Sequence, residues 1–381
     1  MTAQIKTYPQ FYFNHASCSF TTASTSDATV NQLRLEQQLG NAVADQLTSP
    51  DKRSIYQLAA RTIGAAEEAI ALLDSHTTGW EKALGTVTLT PGDMVLTTRS
   101  EWGGNLRALR HLAKRFGASV IVVPATGDGS TCLKSLAGMI NDRVKLISVS
   151  WIGSNGGHIE PVAEIGELAR ANGIPYFVDA SQVVGQIPVD VQQIQCDVLT
   201  MPGRKWLRGP KGTGFMYLRP KYLDKCQASS RFDELLDPST ALTAKHFEAS
   251  SPSVPLQMGL RAALAQLQDA RIQQVRQQVL NHSQQTWEGL RALPGVTCVS
   301  QVAPKHGLVS FTVAGKSATI VRDQLMALGV EVAANQAAFT PLDMGVRRLD
   351  AVVRASPHAC TTSCEIDHLI QAVKLVSQGV S

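Results

Sequence analysis

Short apolar runs alternate with stretches of helical periodicity through the middle of the chain. Met94–Thr98, Ser119–Pro124, Val144–Trp151, Tyr176–Ala180, Val198–Met201 and Thr213–Leu218 each read as a strand. Between them, Leu106–Phe116, Cys132–Ile140 and Val162–Ala171 repeat apolar residues at helical spacing and predict helices. Strands that are apolar at nearly every position predict a mostly parallel sheet covered by helices on both faces, an α/β fold.

After about residue 250 the pattern changes. Leu256–Gln268 and Ile272–Leu293 predict helices, and Val296–Ser300 and Leu308–Val313 predict strands. Ala318–Leu328 predicts a helix and Ala351–Arg354 a short strand. Thr362-Ser363-Cys364-Glu365 has the layout of a capping box, which starts a last helix running to about Ser377. This mixture predicts a smaller α+β domain. A length of 381 residues suits the division. The large domain is expected over residues 17–255, and the small one over 1–16 together with 256–381. Gln227–Lys245 has weak periodicity and predicts an irregular connection. There is no internal repeat.

Composition narrows the function classes. Hydrophobic residues make up 44% of the chain, as in an ordinary globular protein. The net charge is only +4, which argues against a nucleic-acid partner. The densest basic stretch, Arg107, Arg110, His111, Lys114 and Arg115, is expected to be a solvated helix face. No run of about 18 apolar residues occurs, and the first residues lack the basic-then-apolar layout of a leader. No membrane association and a cytoplasmic location are therefore expected. The seven cysteines are odd in number, scattered and without a CxxC pair, which predicts reduced thiols. No metal site is expected, even at Cys360 and Cys364, which stand four apart.

In an open parallel sheet, ligands bind outside the carboxyl ends of the strands. The residues just past the predicted strands are Glu101-Trp102, Asn155, Asp179 with Gln182, and Gly203-Arg204-Lys205-Trp206. A carboxylate, amides, a lysine and an aromatic ring thus gather at one edge. That set suits pyridoxal 5'-phosphate (PLP). A lysine amine joins the aldehyde as a Schiff base, and a carboxylate keeps the pyridine nitrogen protonated. An aromatic side chain covers the ring, and a helix N-terminus holds the phosphate. Ser75-His76-Thr77-Thr78-Gly79 is the candidate phosphate loop; its plain alternative is a polar turn between two helices. Each piece alone has such an alternative: Lys205 a surface lysine, Asp179 a helix cap, Trp102 a core residue.

Val178-Asp179-Ala180-Ser181-Gln182 followed by Gly203-Arg204-Lys205-Trp206-Leu207-Arg208-Gly209-Pro210-Lys211-Gly212-Thr213-Gly214 resembles the signature of class V aminotransferase-like PLP enzymes of fold type I. The resemblance extends from Asn14-His15-Ala16 to Arg354-Ala355-Ser356-Pro357-His358. It implies a seven-stranded, mostly parallel sheet in the large domain. It also implies that Lys205 carries PLP and moves the substrate proton, that Asp179 pairs with the pyridine nitrogen, and that Gln182 and Asn155 bind the ring oxygen. Trp102 would cover the ring, and Thr77, Thr78 and Arg204 would hold the phosphate. Ser251 would reach the phosphate of a partner subunit, which implies a homodimer with active sites at the subunit interface. Arg354 would clamp the carboxylate of an amino-acid substrate, with Asn14 and His15 beside it.

Two departures bear on the reaction. Pro202 stands where many members have a phosphate-binding Ser or Thr, and proline has no N–H to donate. Ala333-Ala334-Asn335-Gln336-Ala337-Ala338-Phe339 matches the loop that carries the nucleophilic cysteine of cysteine desulfurases, and it holds no cysteine. A persulfide-forming desulfurase is thereby disfavoured. Ala303–Val313 is similar to a stretch in cystine lyase-type enzymes. Ala16–Ser19 and Phe339–His358 resemble hercynylcysteine sulfoxide lyases of ergothioneine biosynthesis. The resemblance implies a C–S lyase acting by β-elimination on an S-substituted cysteine or its sulfoxide. Epimerisation or transamination, as in isopenicillin N epimerase-like relatives, is the alternative, and a PLP-binding scaffold without catalysis is a third.

Overall fold

The computed structural model describes residues 9–224, 226, 243–268 and 271–379. Among them, seven strands form a sheet in the order Ile70–Leu73, Gly214–Leu218, Val198–Pro202, Tyr176–Asp179, Val144–Ser150, Met94–Thr97 and Ser119–Val122. The last five are mutually parallel, and the first two pair antiparallel at one edge. Successive residues of the central strands feed separate cores. Leu96, Ile147, Val178 and Leu199 join one, while Val95, Leu146, Phe177 and Val198 join the other. Burial on both faces is why these strands read as continuous apolar runs.

A second, four-stranded antiparallel sheet runs Ala333–Gln336, Ala351–Ala355, Val309–Val313, Val296–Cys298. The helices Arg271–Arg291, Ala318–Ala327 and Ser363–Gln378 share its core. Thr362 and Glu365 complete the predicted capping box at the start of the last helix. Phe11–Tyr12 pairs in parallel with Val330–Glu331, tying the amino-terminal segment to this sheet.

Several elements differ from the sequence expectation. The helices Ala23–Leu39, Asn41–Leu47 and Ser49–Ile63 precede the first predicted element. The first of them buries only Thr25 and Gln32, so it carries no apolar stripe to read. Ile70–Leu73 is an apolar run of four residues, too short to assign from periodicity. The stretch at Ser75 therefore links a strand to the helix His76–Leu84 and is not a turn between helices. The helix expected from Leu106 begins at Gly103, where a Cβ would collide with the Ala338 carbonyl. The helix Pro341–Arg347 and the strand Ala333–Gln336 were also not anticipated. The five basic residues of Gly103–Phe116 all lie outside its buried face, as expected of a solvated one. Most of the connection Gln227–Lys245 lies outside the described residues.

Phe177 stands two residues before Asp179, fully buried, with its ring edge-to-face against Trp80 at 6.2 Å and Tyr222 at 5.7 Å. Phe177→Ala should lower the unfolding free energy by about 3–5 kcal/mol, measured by urea denaturation.

Candidate active site

The parallel strands end at one edge of the sheet, and the site is assembled from their last residues and the loops beyond them. Tyr176–Asp179 ends on Asp179 itself. Val198–Pro202 leads through Gly203 to Arg204 and Lys205. The backbone folds tightly here: a Cβ on Gly203 would strike the Thr213 hydroxyl, and the Gly209 N–H donates to the Gly203 carbonyl at 2.8 Å. Arg208 closes this turn in the left-handed region, at φ 62°, a conformation that costs energy in a residue with a side chain. The loop after Met94–Thr97 brings Glu101 and Trp102 across to Val144–Ser150, where the direction of strand succession reverses.

These segments enclose a cavity of about 520 Å³. His76, Thr77, Trp102, Asp179, Arg204 and Lys205 line it. Asp179 is buried, and both carboxylate oxygens are engaged. Oδ1 accepts from the Ser181 N–H at 2.8 Å, and Oδ2 from the Asn105 amide at 3.0 Å, with His76 Nε2 at 3.3 Å. Burial acts to raise its pKa, but His76, Lys205 and the Ser181 hydrogen bonds outweigh that and hold it below the ordinary value. Burial pushes the Lys205 amine down to about 7, helped by the charges of Arg204 and Arg354 and opposed by Asp179. A lysine so shifted is a nucleophile and a base near neutrality.

Opposite lies an anion cradle. Thr77 stands in the first turn of His76–Leu84, and the Ser75 hydroxyl caps that helix by accepting from the Thr78 N–H at 3.1 Å. The Thr78 hydroxyl bonds Ser75 at 3.0 Å. Arg204 and Lys211 add positive charge to the same wall. A helix N-terminus with two cations favours a phosphate. Ser181 also lines the cavity, and its buried hydroxyl has no partner among the described residues.

Arg354, on Ala351–Ala355, is buried behind Ser154 at the cavity wall. Its guanidinium donates to the Ser154 carbonyl and to the Ser17 hydroxyl, both at 2.6 Å, while buried Nε has no partner among the described residues. Burial, with Arg204 adding to it, lowers its pKa to about 10.

The remaining expected site residues fare differently. Gln182 lines the cavity, but its amide is engaged: Nε2 donates to the Ala16 carbonyl at 3.1 Å and Oε1 accepts from the Trp206 indole at 2.9 Å. Asn155 accepts from Asn335 at 3.0 Å and does not line the cavity. Asn14 donates to Glu331, and buried His15 pairs with Ser19 at 2.9 Å. Neither lines the cavity: the Asn14 amide N–H is held by Glu331, its buried Oδ1 has no partner among the described residues, and His15 is held by Ser19. Ser251 is exposed and does not line this chain's own cavity. Sequence reasoning missed His76 and Asn105. The one stands immediately before Thr77, and the other follows Glu101 by one helical turn, spacings that gave the only available hint.

A lysine of lowered pKa beside a buried carboxylate, an aromatic lid and a phosphate cradle with an unpaired hydroxyl together fit PLP. A model of the family "Aminotransferase class-V" matches residues 12–369. The chain is 28% identical to a cysteine desulfurase of Pectobacterium carotovorum over 346 residues, covering 88% of this chain and 84% of that one. It is 30% identical to a probable cysteine desulfurase of Synechocystis sp. over 298 residues, covering 75% and 70%. Among solved structures, the cystine C–S lyase C-DES in complex with its product cysteine persulfide superimposes with a TM-score of 0.83 at 25% identity, covering 95% of this chain and 97% of that one. A variant of C-DES, at 25% identity and a TM-score of 0.84 over 96% of both chains, carries glycine linked covalently to PLP. The cysteine desulfurase of Thermococcus onnurineus shares the fold, with a TM-score of 0.86 at 23% identity over 97% and 95% of the two chains. The chain belongs to the class V aminotransferase family and is a PLP-dependent enzyme grouped with its carbon–sulfur lyases.

Proposed function

We propose that this enzyme is a C–S lyase that acts by β-elimination on an S-substituted cysteine or cysteine sulfoxide. Such a substrate and water would give the sulfur fragment, pyruvate and ammonia. Bound PLP supplies an electron sink for the pair left when the Cα proton departs. Lys205 would hold the coenzyme and, once freed, take that proton at Nζ. Asp179 would keep the ring nitrogen protonated, and Trp102 would cover the ring. Thr77, Thr78 and Arg204 would hold the phosphate, with Gln182 and Asn155 placed toward the ring oxygen once their present partners release them. Arg354 would bind the substrate carboxylate in a bidentate pair.

One observation carries the reading toward elimination. The segment Ala333–Phe339 packs at the site with Asn335 donating to the Ser154 carbonyl at 3.3 Å, and it bears no thiol. Among the described residues no cysteine lines the cavity; Cys360 and Cys364 are exposed elsewhere, and the Cys18 sulfur faces the Ser19 carbonyl at 3.8 Å. The departing sulfur therefore meets no acceptor thiol at this cavity wall and would leave with its own substituent. A sulfenate or persulfide leaves more readily than a thiolate, which favours sulfoxides and disulfides. Sulfoxides of the kind cleaved in ergothioneine biosynthesis are the first to test. The free thiols suit a cytoplasmic enzyme, and exposed Ser251 suits a homodimer in which Ser251 of the partner subunit meets the phosphate.

The deciding experiment is a panel of cystine, cysteine conjugates and cysteine sulfoxides with the PLP-loaded enzyme, scored for pyruvate. Pyruvate from a sulfoxide or disulfide is expected. Alanine from cysteine would mark desulfuration, and racemised or transaminated substrate without pyruvate would mark the alternative chemistry. Arg354→Ala should raise KM roughly ten- to hundredfold, the loss of a charge-assisted pair of about 1.5–3 kcal/mol. An unchanged KM would place the carboxylate elsewhere. The Lys205 pKa gives a third test. Its neutral amine, the form that attacks the aldehyde, grows as pH rises through about 7. Capture of PLP by coenzyme-free protein, followed by absorbance, should accelerate up to that pH and then level off. A rate still climbing toward the ordinary lysine value of 10.5 would contradict it.

A further inference from the structure

Behind Asp179 runs a buried chain of polar groups that the lyase reading does not require. Glu101 is fully buried and accepts from the hydroxyls of Thr97, Ser148 and Ser150 and from the Trp102 N–H, at 2.6–3.1 Å. Asn105 Nδ2 lies 3.0 Å from both Glu101 Oε1 and Asp179 Oδ2. Chemistry fixes this orientation, since an amide oxygen there would oppose two carboxylates. The Asn105 carbonyl must then face the other way, and it lies 3.0 Å from His76 Nε2. A carbonyl only accepts, so Nε2 carries a proton and donates it to Asn105, while the Nε2 atom itself lies 3.3 Å from Asp179 Oδ2. On the far side of the ring, Nδ1 lies 2.7 Å from the hydroxyl of buried Thr200, which donates to it when the ring is neutral.

We propose that His76 is a positioning residue: held by Asn105 as the neutral Nε2–H tautomer, it steadies the Asp179 carboxylate without neutralising it. The inference rests on the pairing of Asp179 with the pyridine nitrogen. A cationic imidazole would satisfy Asp179 on its own and compete with the coenzyme for that charge. A neutral N–H fixes the Asn105 amide, whose Nδ2 holds the carboxylate, and leaves the charge of Asp179 available. The surroundings favour the neutral form. His76 is buried, and the positive groups Lys205 and Arg204 face it. Asp179 is the negative group beside it, and Glu101, whose pKa burial raises, touches the network only through Asn105. Burial dominates and lowers the imidazole pKa.

The test combines two variants with a measurement on the unaltered protein. His76→Leu removes the donor. It should weaken PLP binding, change the pH dependence of the bound coenzyme's absorption, and lower kcat roughly tenfold or more with little change in KM. His76→Gln places an amide N–H near the position of Nε2 and should recover most of the loss. In ¹⁵N-histidine-labelled holoenzyme, His76 should be neutral and protonated at Nε2 through neutral pH. A titrating imidazole, an Nδ1–H tautomer, or a His76→Leu protein with unchanged PLP affinity and spectrum would overturn the proposal. If His76→Leu does not fold, His76→Gln and the labelled protein still decide. The tautomer and PLP affinity are read without substrate, so a wrong lyase assignment would leave this test standing.

Discussion

A carboxylate buried at the end of an inner parallel strand is expensive unless every lone pair is met. Asp179 is in that position, and much of the surrounding architecture answers to it. The N–H of Ser181 comes from the turn just past the strand, Asn105 from the helix behind Trp102, and His76 from the helix that opens the phosphate cradle. Three separate strand-to-helix junctions converge on one side chain. Lys205 supplies the opposing charge from the turn between Val198–Pro202 and Gly214–Leu218, and the same burial that makes Asp179 costly lowers the lysine pKa to about 7. The parallel sheet matters to function because it delivers these junctions to one edge.

The second constraint is that the site is sewn together by the amino-terminal segment. Phe11–Tyr12 is a strand of the carboxyl-terminal half's structure, paired with Val330–Glu331. A few residues later, the Ser17 hydroxyl accepts from Arg354 and its carbonyl accepts from Arg204, while the Ala16 carbonyl accepts from Gln182. One short stretch thus contacts the two arginines proposed for carboxylate and phosphate and an amide of the coenzyme wall. Movement of the second sheet relative to the first would be felt at the site through this segment.

The strand–helix alternation, both-face burial and the strand-end residues Asp179 and Lys205 were legible because continuous apolar runs and a parallel sheet dictate where polar groups can stand. The helix Ala23–Leu39 was not, because its contact with Val254–Ala265 buries polar Thr25 and Gln32 instead of an apolar stripe. His76 and Asn105 were hidden for a different reason. Their importance lies in hydrogen bonds to residues 124 and 74 positions away, and spacing along the chain carries no record of such pairs. Asn14 and His15 illustrate the converse: a motif placed them near the chemistry, while the structure pairs them with the Glu331 and Ser19 side chains.

The difference between a desulfurase-like relative and this chain comes down to where a sulfur atom can go. In this protein the segment Ala333–Phe339 approaches the cavity with an amide and small apolar groups, and Asn335 braces Asn155 and the Ser154 carbonyl that also receives Arg354. The position is thus structural, tightening the wall beside the carboxylate clamp. A nucleophile in place of Asn335 would give up that brace. Under the proposed elimination, with no cysteine lining the cavity among the described residues, sulfur would be expelled as part of a stable anion, and the substrate's own oxidation state would supply the driving force. A preference for an oxidised sulfur substituent would, under that same proposal, follow from this feature of the cavity wall.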